Sequence, residues 1–282
     1  MIALAASLLL QASAPAEVRT LDVWITDAKG AAVRGVVPDE AAVLENGVAR
    51  TVTRLEEDRR PLLVSVVVDS SAPMGTIYRL QLVDPVVKFL NELPEGARFA
   101  VWTTGDRPVK VAEWGDDVAA ASRALKRTAP QGGNTVLDAI VEGAADLKQK
   151  ESERSAMVVV SGVGVGFANW ERQQVVEKAA ASRATFMVVQ MEETGTPTAS
   201  ADEGVTRLDY DYVFDGITRR TGGLKELTIS AMGVGASLAR VAQALKAPYR
   251  LTYATIPDLK ERKLEVQVAR PGVKVRIAPV RP

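Results

Sequence analysis

Three stretches of the chain are apolar at most positions without alternation: Leu62 to Val68, Met157 to Ser161 and Thr185 to Met191. Strands covered on both faces read this way, as they do inside a parallel sheet. The segments between them carry apolar residues at helical spacing. Ile77, Leu80, Val83, Val87 and Leu90 form one such series, ending at Pro94-Glu-Gly96, and Pro85 within it predicts a kink or two shorter helices. Arg98 to Thr104 reads as a strand, with Val109 to Trp114 as its hairpin or edge partner. Asp116-Asp117 caps a helix running to about Thr128, and the glycine loop Pro130 to Thr135 leads into a helix over Val136 to Lys148. Further helices are expected at Arg172 to Ala181, Asp209 to Arg220 and Ala236 to Lys246, with a strand near Leu227 and a polar loop over Glu192 to Gly204. Strands separated by helices of this length predict βαβ units, hence an α/β fold with a doubly wound, mostly parallel, Rossmann-like sheet.

The two ends of the chain alternate instead. Val18, Leu21, Val23 and Ile25 lie among polar residues, Asp27 to Gly30 supplies a turn, and Asn46-Gly47 sits where a type I′ hairpin needs positive φ. Near the other terminus Tyr249 to Thr255 and Leu264 to Val268 alternate, Pro271-Gly272 turns the chain, and Val273, Val275 and Ile277 alternate again. Neither end can close a core alone, so the two are expected to form one small β-sandwich. The resulting partition is residues 1–16, 17–60, 61–246 and 247–282.

Composition narrows the chemistry. Histidine and cysteine are both absent, which removes imidazole bases, thiol nucleophiles, disulfides and the usual zinc ligands. Lysine plus arginine number 35 and aspartate plus glutamate 35, so no charge excess points to nucleic acid or an anionic membrane. The apolar run Ile2 to Leu10, followed by Ala12, Ser13, Ala14 and Ala16, has the length of a signal-peptide core. It predicts export, although no basic residue precedes it and an ordinary apolar tail is the alternative. No later stretch is long enough for a membrane-spanning helix.

Candidate chemistry gathers after the first apolar run. Asp69, Ser70 and Ser71 follow its last valine, at the strand edge where open α/β sheets bind ligands. A carboxylate with two hydroxyls suits a hard divalent cation, or serves as a capped helix start. The sequence Asp69-Ser-Ser-Ala-Pro-Met74 resembles the Asp-x-Ser-x-Ser turn of von Willebrand factor type A domains, and the order of elements is similar across most of the chain. The terminal β segments resemble those of secreted bacterial members. That resemblance implies a magnesium site in which Asp69 and Ser71 match ligand positions, Pro73 replaces the last serine, and glycine stands in Ser161-Gly162-Val163 where the family has an aspartate. Its threonine position falls on Asn134 when counted from Asp138, or on Thr135 if the loop is shifted by one. A site so depleted holds magnesium weakly at most, and no other cofactor is implied. The vestigial alternative leaves Asp69 and Ser71 to serve the turn and the following helix.

Gly162-Val-Gly-Val-Gly166 offers a phosphate-cradling turn or, given the wrong spacing for a dinucleotide fingerprint, a flexible rim. Phe167 and Trp170 beside it are an exposed contact pair or a cover for the core. Acid pairs at Asp116-Asp117, Glu56-Glu57-Asp58, Glu192-Glu193 and Asp209/Asp211 lie in polar surroundings suited to caps and solvated loops. The expected function is a non-enzymatic adhesion or protein-interaction module with no nucleic-acid partner and no integral membrane segment. Its binding rim would comprise Ser70, Met74, Asn134, Gly162, Gly164, Phe167 and Trp170. The alternatives are magnesium-dependent ligand binding and a nucleotide-binding or hydrolytic enzyme.

Overall fold

The computed structural model describes residues 17–28, 30–162, 165–192, 201–246, 248–257 and 262–277. The chain begins with β1 (Val18–Thr26), β2 (Ala41–Glu45), β3 (Val48–Arg50) and β4 (Val52–Glu57). Next come β5 (Leu63–Val68), α1 (Gly75–Ile77), a π-helical turn (Tyr78–Leu82) and α2 (Val83–Asn91). β6 (Arg98–Thr103), β7 (Val109–Gly115), α3 (Val118–Arg127), α4 (Val136–Gln149) and β8 (Ser155–Ser161) follow. Then come α5 (Arg172–Ala180), β9 (Thr185–Met191), α6 (Ala201–Thr221), β10 (Leu224–Thr228) and α7 (Val234–Lys246). The chain closes through β11 (Pro248–Ala254), β12 (Leu264–Val268) and β13 (Lys274–Ile277).

The central sheet has strand order β10-β9-β8-β5-β6-β7, parallel throughout except for the β6/β7 pair. Its inner strands are covered on both faces, which is why their sequences do not alternate. Val64, Val66 and Val68 pack with α2, α3 and α7, while Val67 turns to the opposite layer of α4, α5 and α6. β8 and β9 divide in the same way, Val158 and Met187 to the first layer, Val159 and Val188 to the second.

Pro85 falls in the first turn of α2, where its missing N–H is not needed, and the wide turn Tyr78–Leu82 absorbs the break in the ladder before it. The polar loop expected over 192–204 is cut short by α6, which begins at Ala201. Tyr210, Val213, Phe214 and Ile217 in its later turns are deeply buried, whereas the sequence at its start, Ala201-Asp-Glu-Gly204, has no apolar stripe to signal a helix.

Both chain ends contribute to two small antiparallel sheets, β13-β1-β11-β4 and β12-β2-β3, which enclose Leu21, Val23, Ile25, Val43, Leu55, Leu251, Tyr253 and Val266. Asn46 (φ 52) and Gly47 (φ 81) form the tight turn between β2 and β3. The opposite face of β1 joins the sandwich to the central unit. Trp24 belongs to the α/β core, and its indole Nε1 donates to Ala244 O at 2.8 Å. Arg154 completes the joint, donating to the carbonyls of Asp58, Arg60 and Leu245. Arg60 grips Asp58 through two bonds of 2.8 and 2.6 Å.

Candidate functional site

Asp69 emerges at the C-terminal end of β5 with no solvent exposure. Its Oδ1 accepts from Ser71 N (2.9 Å), Ser71 Oγ (2.7 Å) and Thr104 Oγ1 (3.2 Å). Its Oδ2 accepts from Asn134 Nδ2 (2.6 Å) and Gly162 N (2.8 Å). Two carboxylate oxygens offer about four lone-pair sites, so these five donors leave the group saturated. The donors come from the loops that end β5, β6 and β8 and from the loop before α4, which places residues 69, 104, 134 and 162 together on one edge of the sheet. Every donor is neutral. Burial therefore raises the Asp69 carboxyl above its usual range, against the opposing pull of the hydrogen bonds from Ser71, Gly162 and Thr104.

The orientation of the Asn134 amide follows from both of its ends. Nδ2 faces an acceptor, and Oδ1 accepts from Val136 N at 3.0 Å at the start of α4. Asn134, rather than Thr135, thus touches Asp69. The Thr135 hydroxyl is buried and has no hydrogen-bond partner among the described residues. Gly162 has no side chain to offer, and Met74 occupies the space one would need: a Cβ there would lie 2.0 Å from Met74 Sδ.

These residues do not fit a tight magnesium site. The ion needs near-octahedral oxygen coordination, whereas the single carboxylate is saturated, Ser71 Oγ donates to it, Asn134 presents nitrogen, and Pro73 and Gly162 supply no side-chain oxygen. Among the described residues, no group of three or more acidic side chains is placed to hold a metal ion.

The expected binding rim divides. Ser70, Met74, Asn134 and Gly162 lie beneath the surface because their groups satisfy or cover one another. Ser70 Oγ donates to Thr104 O, Asn134 binds Asp69, and Met74 overlies Gly162. Phe167 and Trp170 are exposed. Gly164 lies outside the described residues, as does residues 1–16, the stretch read as a signal peptide. The glycine loop is tied down where it is described: Phe167 N donates to Asn134 O at 2.8 Å, and the Phe167 ring lies where a Cβ on Gly133 would stand. Asn169 donates through its backbone and side chain to Asp138 in the first turn of α4.

Sequence reasoning missed Thr104 and Tyr210. Thr104 donates to Asp69 and accepts from Ser70 N at 3.1 Å; Tyr210 OH donates to Asn134 O at 3.4 Å. A hydroxyl just after the strand beside β5 was the available signal for Thr104, since Val68 pairs with Thr103.

The family model for the von Willebrand factor type A domain matches residues 64–165. No curated protein matches the chain. Among solved structures, a von Willebrand factor type A protein from Catenulispora acidiphila is 11% identical, with TM-score 0.53, covering 95% of this chain and 75% of that one. The vWF domain of the type V pili tip protein Mfa5 from Porphyromonas gingivalis is 8% identical, with TM-score 0.50, covering 65% of this chain and 94% of that one. The matched residues span β5 to the end of β8, which is where the saturated aspartate and its donors are assembled. The central α/β unit of this chain has the fold of von Willebrand factor type A domains.

Proposed function

We infer that the protein is an exported, non-enzymatic protein-interaction module whose strand-end site works without a metal ion. The observation that carries this reading is the Asn134 amide on Asp69 Oδ2, a neutral side-chain donor bound directly to the carboxylate that a cation would otherwise engage. Type A domains typically serve adhesion and protein interaction, and the acid pairs that could have done catalysis have other work. Asp117 caps α3, Glu56 pairs with Arg54, Glu57 with Arg34, Asp209 with Arg172 and Asp211 with Lys225. Export rests on the apolar run Ile2 to Leu10. Among the described residues, no helix is long and apolar enough to cross a membrane.

One observation favours magnesium-dependent binding instead: the unpartnered Thr135 hydroxyl, beside the position the family uses for a ligand. Calorimetric titration with magnesium and manganese of wild type and Asp69→Ala separates the two readings. No saturable heat is expected from either protein. Saturable binding abolished by the substitution would overturn the metal-free reading. A pull-down from the native host's envelope fraction, run in parallel with EDTA and with magnesium, is expected to recover the same partner in both.

A further inference from the structure

The chain has 4 tryptophans, 5 tyrosines and 5 phenylalanines, all within the described residues, and only Phe167, Trp170 and Tyr212 are exposed. All three stand on one flank of the strand-end edge. Phe167, 58% exposed, and Trp170, 36% exposed, belong to the loop before α5; Tyr212, 47% exposed, stands on α6 with Leu208, 66% exposed, one turn before it. The two elements meet at Asn134 O, which accepts from both Phe167 N and the hydroxyl of Tyr210, the buried residue between Leu208 and Tyr212.

The flank also carries cations on its rings. The Lys178 ammonium lies 4.1 Å from the Trp170 ring centroid, and the Arg172 guanidinium 4.8 Å from that of Tyr212. Arg172 is already paired with Asp209 at 3.1 Å, whereas Lys178 has no carboxylate within ion-pair distance among the described residues. A cation held over an aromatic face orients that ring and leaves its own outer side open to an anion. Aromatic residues and arginine are also the types that concentrate binding energy at protein interfaces.

We propose that this flank, formed by Phe167, Trp170, Leu208, Tyr212, Arg172 and Lys178, docks an acidic, apolar-rich protein segment, whose apolar side chains cover the rings while a carboxylate pairs with Lys178. The proposal rests on the interaction-module reading and names its partner's chemistry. Because the residues around Asp69 are buried, the contact surface lies beside the closed strand-end turn.

The test is selection of phage-displayed random dodecapeptides on the full chain, followed by fluorescence polarisation with synthetic versions of the enriched peptides. Enriched sequences are expected to combine aspartate or glutamate with several aliphatic or aromatic residues. Phe167→Ser with Trp170→Ser should weaken binding at least tenfold, and Lys178→Glu should weaken it and flatten its salt dependence, in variants that circular dichroism shows to be folded. Peptides without acidic bias, no enrichment, or binding indifferent to these substitutions would overturn the proposal. So would a dimer in solution that Phe167→Ser and Trp170→Ser convert to monomer, because the flank would then bind a second copy. EDTA separates the two levels. Binding that survives EDTA but ignores the flank substitutions defeats only this proposal, whereas binding abolished by EDTA defeats the metal-free reading as well.

Discussion

Asn134 Nδ2 stands 2.6 Å from Asp69 Oδ2, and through that bond the loop before α4 closes over the end of β5. A buried carboxylate held only by neutral donors has little tolerance for losing one. Asn134→Ala should cost about 2–3 kcal/mol, the range for a hydrogen bond to a charged group whose partner stays buried. Thr135→Val, one residue on, should change stability by less than about 1 kcal/mol, because its hydroxyl has no bond to lose. Urea denaturation of the two variants checks the contrast, and a large loss for Thr135→Val would show its hydroxyl engaged.

Gly162→Asp restores the family's carboxylate on paper. Here its Cβ would meet Met74 Sδ, and its charge would sit beside buried Asp69. Overpacking of this kind costs about 1–3 kcal/mol, and an uncompensated buried charge adds to that. The variant should melt well below wild type, and 10-fold molar excess of magnesium should not recover it, as read by differential scanning fluorimetry.

Beside Trp24, the joint between sandwich and central unit depends on the Arg154 guanidinium. Arg154→Met strands the carbonyls of Asp58, Arg60 and Leu245 and leaves the buried Asp58 carboxylate with Arg60 alone. A loss of about 3–5 kcal/mol is expected, the scale for breaking a buried charged network by removing one partner. Equilibrium urea unfolding followed by tryptophan fluorescence measures it, since Trp24 lies at the same junction.

Acid should weaken the sandwich through Glu45. Burial alone would raise its carboxyl, but hydrogen bonds from Ile256, Thr255, Tyr253 and Arg262 more than offset this and hold it below the ordinary glutamate range. A lowered folded-state pKa contributes stability above the unfolded value, about 4.3, and loses it as pH falls through the folded value. Stability should therefore decline from about pH 5 downward. Glu45→Gln should flatten that acid limb in chemical denaturation measured pH by pH.

Much of the architecture was legible in the sequence because local chemistry decides it. Val64 to Val68 could be read as a strand covered on both sides because every residue in it has an apolar neighbour layer. Asn46-Gly47 could be read as a hairpin because few other pairs take two successive positive φ angles. The start of α6 was not legible, since Ala201-Asp-Glu-Gly204 offers only polar and small residues, with a glycine that weakens a helix. At the site, Asp69 and Asn134 stood out by residue type, yet the saturation of Asp69 depends on the approach of four loops far apart in the chain. The role of Thr104 depends on the register between β5 and β6, which no local pattern encodes. Likewise, residue types mark Ser70 and Met74 as candidates for a surface but do not reveal that they cover their neighbours.

β1 is hydrogen-bonded along its length to β11, from Val18 opposite Ala254 to Trp24 opposite Pro248, and on its other side to β13. During synthesis the first strand therefore leaves the ribosome long before either neighbour exists. The central unit, from β5 to α7, has all its own strands by the time β11 is made and can close early, while Leu21, Val23 and Ile25 wait uncovered. Chains that stop short of β11 would keep that apolar edge permanently open, so premature termination should yield aggregation rather than a smaller working domain.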